Sequence, residues 1–186
     1  MKHLKIAALV ASLLTAGVAH ADSTPASNWY GEVGSLGFKN TPDNGNTITP
    51  SLLRLTVGNN LNETLAVEGV AGLTASKANV AFTNSSATGT VSDNFYGVYV
   101  KPKYQASPDI TIFGRGGFAH TSVTGSINGG TSTTYSSTKL SYGFGAELKI
   151  NQNWYGALDY MQYGKYSDVG GSIKFSGITL TLGYKF

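Results

Sequence analysis

The segment that comes nearest to a nucleophile with its base is His120-Thr121-Ser122. In an extended strand, residues two apart share a face, so an imidazole and a hydroxyl would stand side by side, as base-assisted activation of a serine requires. An acidic group must also orient the imidazole. The nearest one downstream is Glu147, which falls on the opposite parity of its own strand. Metal chemistry has less to work with: His3 and His20 lie in the N-terminal leader, one histidine remains, and there is no cysteine. The glycines are scattered through strand-like segments, and no glycine-rich loop precedes a helix to cradle a phosphate. The residues therefore point to no catalytic centre, metal or cofactor.

The elements around these residues begin with a leader. Lys2, His3 and Lys5 precede the apolar run Ile6 to Val18, and Ala19-His20-Ala21 follows as a small-residue site. That pattern is a secretory signal, expected to be removed after Ala21. Residues 1–21 are thus signal and residues 22–186 one exported domain. The formal charge of +3 shrinks once Lys2 and Lys5 leave, with 11 basic against 10 acidic residues remaining. Such a balance gives no footprint for nucleic acid. Charged residues are 12% of the chain, Gly and Tyr number 24 and 11, and no apolar stretch after the leader is long enough for a spanning helix. A secreted β-sandwich and a transmembrane β-barrel remain.

Read in period two, the domain resolves into eight segments of about ten residues, the length of a tilted bilayer-spanning strand. They run near Trp29 to Phe38, Thr49 to Asn59, Thr64 to Ala75, Asn94 to Tyr104, Ile110 to Thr121, Lys139 to Ile150, Trp154 to Gln162 and Ile173 to Phe186. One parity is apolar, as in Leu65, Val67, Gly69, Ala71 and Leu73, or Ile178, Leu180, Leu182, Tyr184 and Phe186. The other is polar, small or charged, which predicts one oily and one polar face. Strand one puts Glu32 and Leu36 on the same parity, so a bulge near Gly34 is expected there. Pro102 has no ladder donor and is expected near the periplasmic rim or at a bulge.

Rings and connections separate barrel from sandwich. Tyr96 and Tyr104 are eight residues apart, about 26 Å along the strand and roughly 20 Å along the membrane normal at a ~40° tilt. They bracket an apolar band, and Trp29 and Trp154 stand at the same edge as Tyr104 and Phe186, where amphipathic rings favour the interface. Asn60 to Glu63, Gln105 to Asp109 and Asn151 to Asn153 are tight turns, whereas the alternate connections, notably Ser76 to Asp93 and Ser122 to Thr138, are longer and hydroxyl-rich. Short turns belong to the periplasmic side and long loops to the outside. The expected fold is all-β: an eight-stranded antiparallel transmembrane up-and-down β-barrel in the cell outer membrane, closed because lipid offers a strand edge no hydrogen-bond partner.

Specific residues strengthen this reading. They are Trp29-Tyr30-Gly31, Leu53-Arg54-Leu55-Thr56-Val57-Gly58 leading into Asn59-Asn60-Leu61-Asn62, Val67-Glu68-Gly69, and the closing Thr179-Leu180-Thr181-Leu182-Gly183-Tyr184-Lys185-Phe186. Together they resemble the small eight-stranded outer-membrane barrels of the OmpA/OmpX type across essentially the whole domain. The resemblance implies that Leu182, Tyr184 and Phe186 form the signal read by the barrel assembly machinery, with Thr181 where a Gly is usual. It also implies a lumen of paired charges, for which the inward parity supplies Arg54, Glu68, Lys101, Lys103, Arg115, Glu147, Lys149 and Asp159, with Arg54, Glu68, Arg115 and Glu147 at the centre.

Three functional readings follow. The first is a non-enzymatic structural or surface-interaction protein with a host or cell-surface ligand on its outer loops. The second is a small pore lined by the same charges. The third is a lipid A-modifying enzyme, which the His-x-Ser element resembles. Lys165 and Lys174 flank the last outer loop, where they could meet lipopolysaccharide phosphates.

Overall fold

Alternating β-branched, aromatic and small residues fit a pleated sheet with two unlike faces, and the chain forms strands throughout. The computed structural model describes residues 28–43, 47–81, 88–127, 130–168 and 171–186; the proposed leader lies outside them. The strands are β1 (Trp29–Pro42), β2 (Ser51–Asn62), β3 (Leu65–Ser76), β4 (Ala78–Ala81), β5 (Thr88–Gln105), β6 (Ile110–Ile127), β7 (Ser132–Lys149), β8 (Trp154–Asp168) and β9 (Gly171–Lys185). Every neighbouring pair is antiparallel, β1 pairs with β9, and β3 pairs with β5. The short β4 continues the third stave past a break at Lys77, so eight staves close the barrel.

One local expectation is corrected, and of the two alternatives for Pro102 the rim holds and the bulge does not. β1 runs in unbroken register against β2 and against β9, so there is no bulge near Gly34, and Glu32 and Leu36 both point inward and are buried. The β5–β6 register is likewise the same on both sides of Pro102, from Val100↔Gly116 to Lys103↔Phe113. No bulge is needed because Lys103 N–H donates to the Thr64 carbonyl at 2.7 Å. Alternation then aims the donor that Pro102 lacks at β6, where the ladder skips Lys101 and Pro102. Pro102 lies opposite Leu65, the first residue of β3, at the end that carries both termini.

The staves are also longer than ten residues; β5, β6 and β7 have 18 each. Most of Ser122 to Thr138 is not a loop but the upper part of the β6–β7 hairpin. Hydroxyl-rich segments hold a ladder when their side chains pair across it, and here Ser122–Ser136, Thr124–Thr134 and Ser126–Ser132 each meet at 2.9 Å. The β7–β8 ladder ends sooner, at Tyr142↔Gln162. Just above, β8 slips register against β9 at Gly164, whose φ of +113° suits glycine. From that height the β6–β7 and β8–β9 hairpins part.

The outer wall carries Val98, Phe118, Leu140, Phe144, Ile178 and Leu180, each about 60% exposed or more. An apolar belt of that extent is a surface for lipid. The interior is layered by height. Toward the termini the lumen is charged. Farther up, Leu36, Phe38, Leu52, Val70, Phe95, Tyr99, Met161, Tyr163 and Phe175 form one buried cluster. The expectation of a polar inward face therefore holds for the lower lumen and again at Asn40, Asp93 and Thr121, but not across this cluster. Phe38 lies 5.1–5.9 Å, centroid to centroid, from the rings of Phe95, Tyr163 and Phe175.

Candidate functional site

The lower lumen is built from staves that each aim one or two charged or phenolic side chains at the axis. Arg115 on β6 meets Glu68 (2.5 Å), Asp159 (2.9 Å) and Glu32 (3.0 Å). Arg54 on β2 reaches across to β8 and grips both oxygens of Asp159, at 2.7 Å and 2.5 Å. Its nitrogens also donate to the Thr179 and Thr181 hydroxyls of β9. Lys101 on β5 lies 2.7 Å from Glu147, 3.0 Å from Glu68 and 3.3 Å from Glu32. Three cations thus share four carboxylates, and each cation touches at least two. Buried charges persist only when paired and hydrogen-bonded, and here that condition is met on every side.

Two phenols complete the arrangement, and glycines opposite them make it possible. Tyr30 lies over Gly58 and Tyr155 over Gly183, their direct ladder partners. A Cβ at either glycine would come within about 2.2 Å of the ring. Lying flat against the wall, Tyr30 donates to Glu68 Oε1 at 2.6 Å and Tyr155 to Glu32 Oε1 at 2.9 Å. The Phe113 ring sits beneath the Lys101 ammonium at 4.4 Å and the Arg115 guanidinium at 4.7 Å.

The sequence pointed to Arg54, Glu68, Lys101, Arg115, Glu147 and Asp159, and the fold brings all six into this cluster. Glu147 stands at its edge, bound through Lys101, not at its centre. The central acid is Glu32, which sequence reasoning set aside by expecting a bulge; its shared parity with Tyr30 was the available signal. Lys103 lies at the lower mouth, bonded to Asn60 Oδ1, and Lys149 is exposed at the rim. Trp29, Tyr96, Tyr104 and Trp154 all face outward, from 36% to 68% exposed. On the closing strand Leu182 faces outward, Tyr184 packs on Trp154 and Phe186, and Phe186 N–H donates to the Trp29 carbonyl.

His120 faces outward near the upper edge, stacked 5.0 Å from Tyr96, with Nδ1 2.9 Å from Thr138 Oγ1. Ser122 pairs with Ser136. Both residues are engaged across the ladder to β7, and among the described residues no acidic side chain hydrogen-bonds to either. No group of three His, Cys, Asp or Glu side chains there is placed to hold a metal ion.

Where the two hairpins part, a cavity of about 430 Å³ opens at the outer mouth. Val123, Tyr135, Tyr166, Ile173 and Phe175 give it an apolar lining, edged by Thr121, Ser136, Ser137 and Asp43.

A closed antiparallel barrel of eight staves with an apolar outer wall, aromatic rims and an ion-paired lumen has few homes other than lipid. The model of the outer membrane protein beta-barrel domain matches residues 6–186. The chain belongs to that family. No curated protein matches it in sequence. Among solved structures, the attachment invasion locus protein Ail of Yersinia pestis is 20% identical, with 87% of this chain and all of that one covered and a TM-score of 0.61. Neisserial surface protein A is 14% identical over 88% of this chain and all of its own, with a TM-score of 0.62. The outer membrane protein OprG of Pseudomonas aeruginosa is 11% identical over 87% of this chain and 97% of its own, also at 0.62. Similarity at these identities is a similarity of fold; it is the family that makes the chain an outer-membrane barrel.

Proposed function

We propose that this outer-membrane barrel is a non-enzymatic envelope protein with a sealed lumen, which meets host or cell-surface ligands at its outer mouth. The observation that carries the reading is the double stopper. An ion crossing the barrel would have to displace the Glu32–Arg115–Glu68 cluster and then pass the Phe38–Tyr163–Phe95 stack, which holds side chains under 2% exposed. Eight staves leave room for little beyond side chains, and here that room is filled.

The outer mouth supplies the interaction surface. Binding groups commonly sit where loops or hairpins ride on a rigid scaffold, and the cavity between the β6–β7 and β8–β9 hairpins offers rings and hydroxyls together. The similarity to Ail, solved also with the heparin analogue sucrose octasulfate, agrees with such a role. Delivery to the membrane rests in this reading on Leu182, Tyr184 and Phe186, which end the strand that must pair with β1 and are suited to recognition by the barrel assembly machinery.

Conductance in planar bilayers tests the sealed lumen. The expected trace is free of steady openings; steady, charge-selective openings abolished by Arg115→Ala would replace this reading with a pore. Lipid A from cells with and without the protein should show the same acyl composition by mass analysis, and a changed composition would replace it with a lipid A enzyme.

A further inference from the structure

Five carboxylates are buried among the described residues, and four of them, Glu32, Glu68, Glu147 and Asp159, meet a lysine or arginine in the lower lumen. The fifth is Asp93 on β5, which is fully buried and forms no ion pair among the described residues. Its Oδ2 accepts from Asn40 Nδ2 at 2.8 Å, and its Oδ1 has no hydrogen-bond partner there. Asn40 Oδ1 and Thr121 Oγ1 are in the same condition, on residues that are each 4% exposed. Carboxylate and amide oxygens only accept, and a hydroxyl can also accept. The set therefore lacks donors, and its carboxylate lacks a cation besides.

These oxygens stand beside the mouth cavity. Thr121 lines it, as do Val123, the direct ladder partner of Asp93, and Phe175, the direct ladder partner of Asn40. Thr121 is the next inward residue below Val123 on β6 and so lies diagonal to Asp93, at about 7–8 Å between Cα atoms. Phe38 and Phe95 close the lumen beneath, each two residues below Asn40 or Asp93 on the same stave. The one charged residue of the lining, Asp43, is already bonded to the Ser172 hydroxyl and stands 3.7 Å from Lys165. The unmet demand is thus at the inner end of the cavity, where donors and positive charge are missing, while the walls above offer apolar contact.

We infer that the mouth cavity takes a small primary amine on an apolar or aromatic stem, its ammonium held by Asp93, Asn40 and Thr121 and its stem lying against Val123, Ile173 and Phe175. An ammonium carries three donors and the missing charge, and a cation within about 4–6 Å favours the ionised form of a buried carboxylate. A neutral alcohol brings one donor and no charge, and an anionic head would face acceptors alone. An apolar cavity of about 150 Å³ is large enough for benzene, so about 430 Å³ accommodates a ring with its chain. The inference rests on the reading of the outer mouth as a place where ligands bind, and it adds the chemistry of the occupant.

The test uses the mature barrel in nanodiscs of zwitterionic phospholipid at neutral pH, with binding followed by the amide shifts of Thr121, Val123 and Phe175. Phenethylamine, phenethyl alcohol and hydrocinnamate present one stem with a cationic, a neutral and an anionic head. The amine should bind about tenfold to a hundredfold more tightly than the alcohol, the worth of a hydrogen bond to a charged group, and hydrocinnamate more weakly still. Asp93→Asn should cost the amine about tenfold or more and leave the alcohol nearly unchanged. Thr121→Val removes a buried hydroxyl that has no partner, so the variant should fold as well as the parent while binding the amine about fivefold more weakly. Equal affinity of the wild-type barrel for amine and alcohol would overturn the inference and leave the mouth a binding surface for apolar ligands. Binding of none of the three would overturn both the inference and the cavity's part in the proposed function. Amine binding unchanged in an Asp93→Asn barrel of normal heat-modifiable migration, or unchanged in Thr121→Val, would place the ammonium elsewhere and equally overturn it.

Discussion

In the lower lumen seven charged side chains touch one another, with Arg115 alone meeting three carboxylates; in the upper lumen of the same staves, Phe38 is packed among three rings. The two layers fill one tube but hold together for different reasons. Each charge in the lower layer costs several kcal/mol to remove from water, and its partners roughly repay that cost. Net stability is therefore small, while dependence on every partner is large. The upper layer gains from each apolar group separately, and losing one leaves a void without stranding its neighbours. Register is the lower layer's contribution. Arg54 spans from β2 to Asp159 on β8 and Thr179 on β9, and a slip of one residue would turn such a charge toward lipid.

The contrast is broken most directly at Arg115. Arg115→Ala leaves Glu68 and Glu32 short of a cation while both stay buried, and loss of one member of a buried pair costs about 3–5 kcal/mol. Urea titration of the barrel folded in phospholipid vesicles, followed by Trp29 and Trp154 fluorescence, should show that loss. A change under about 1 kcal/mol would mean that water enters the layer freely, and the two layers would then not differ as described. In the upper layer Phe38→Ala should cost about 3 kcal/mol, at the low end for a buried ring, because the void lies toward the open mouth. It should also leave conductance closed, since the charged layer beneath still blocks the path. Steady openings in that variant would make the aromatic stack the sole seal.

The same contrast explains what could be read from the sequence. Eight staves and the outward parity were legible because lipid demands one chemistry across the apolar band, so residues such as Val98 and Val100 or Leu180 and Leu182 recur at every second position. The inward parity faces two chemistries at different heights. Glu32 and Leu36 on one unbroken strand then looked like a fault requiring a bulge, when they are the two layers met in succession. The extension of β6 and β7 was hidden because Ser122, Thr124, Thr134 and Ser136 have loop composition until their hydroxyls are seen to pair across the ladder. The mouth cavity was out of reach for another reason. It depends on where β7 stops pairing with β8, a property of no single segment.

A finer comparison sets one phenol from each layer side by side. Tyr155 donates to ionised Glu32 at 2.9 Å, whereas Tyr99, in the aromatic cluster, donates to the neutral Ser141 hydroxyl at 3.1 Å. Hydrogen bonds to charged groups are worth about 1.5–3 kcal/mol and neutral ones about 1 kcal/mol. Glu32 keeps Lys101 and Arg115 when the phenol is lost, so Tyr155→Phe should fall at the bottom of its range, near 1.5 kcal/mol. Ser141 also donates to the Gln162 carbonyl and is not left bare, so Tyr99→Phe should cost about 0.5 kcal/mol. Both substitutions keep the ring and its packing, so the difference of about 1 kcal/mol in the same urea titration isolates the charge. Equal losses would show that Glu32 is already satisfied by its three cations, leaving Tyr155 to act by filling the lumen over Gly183.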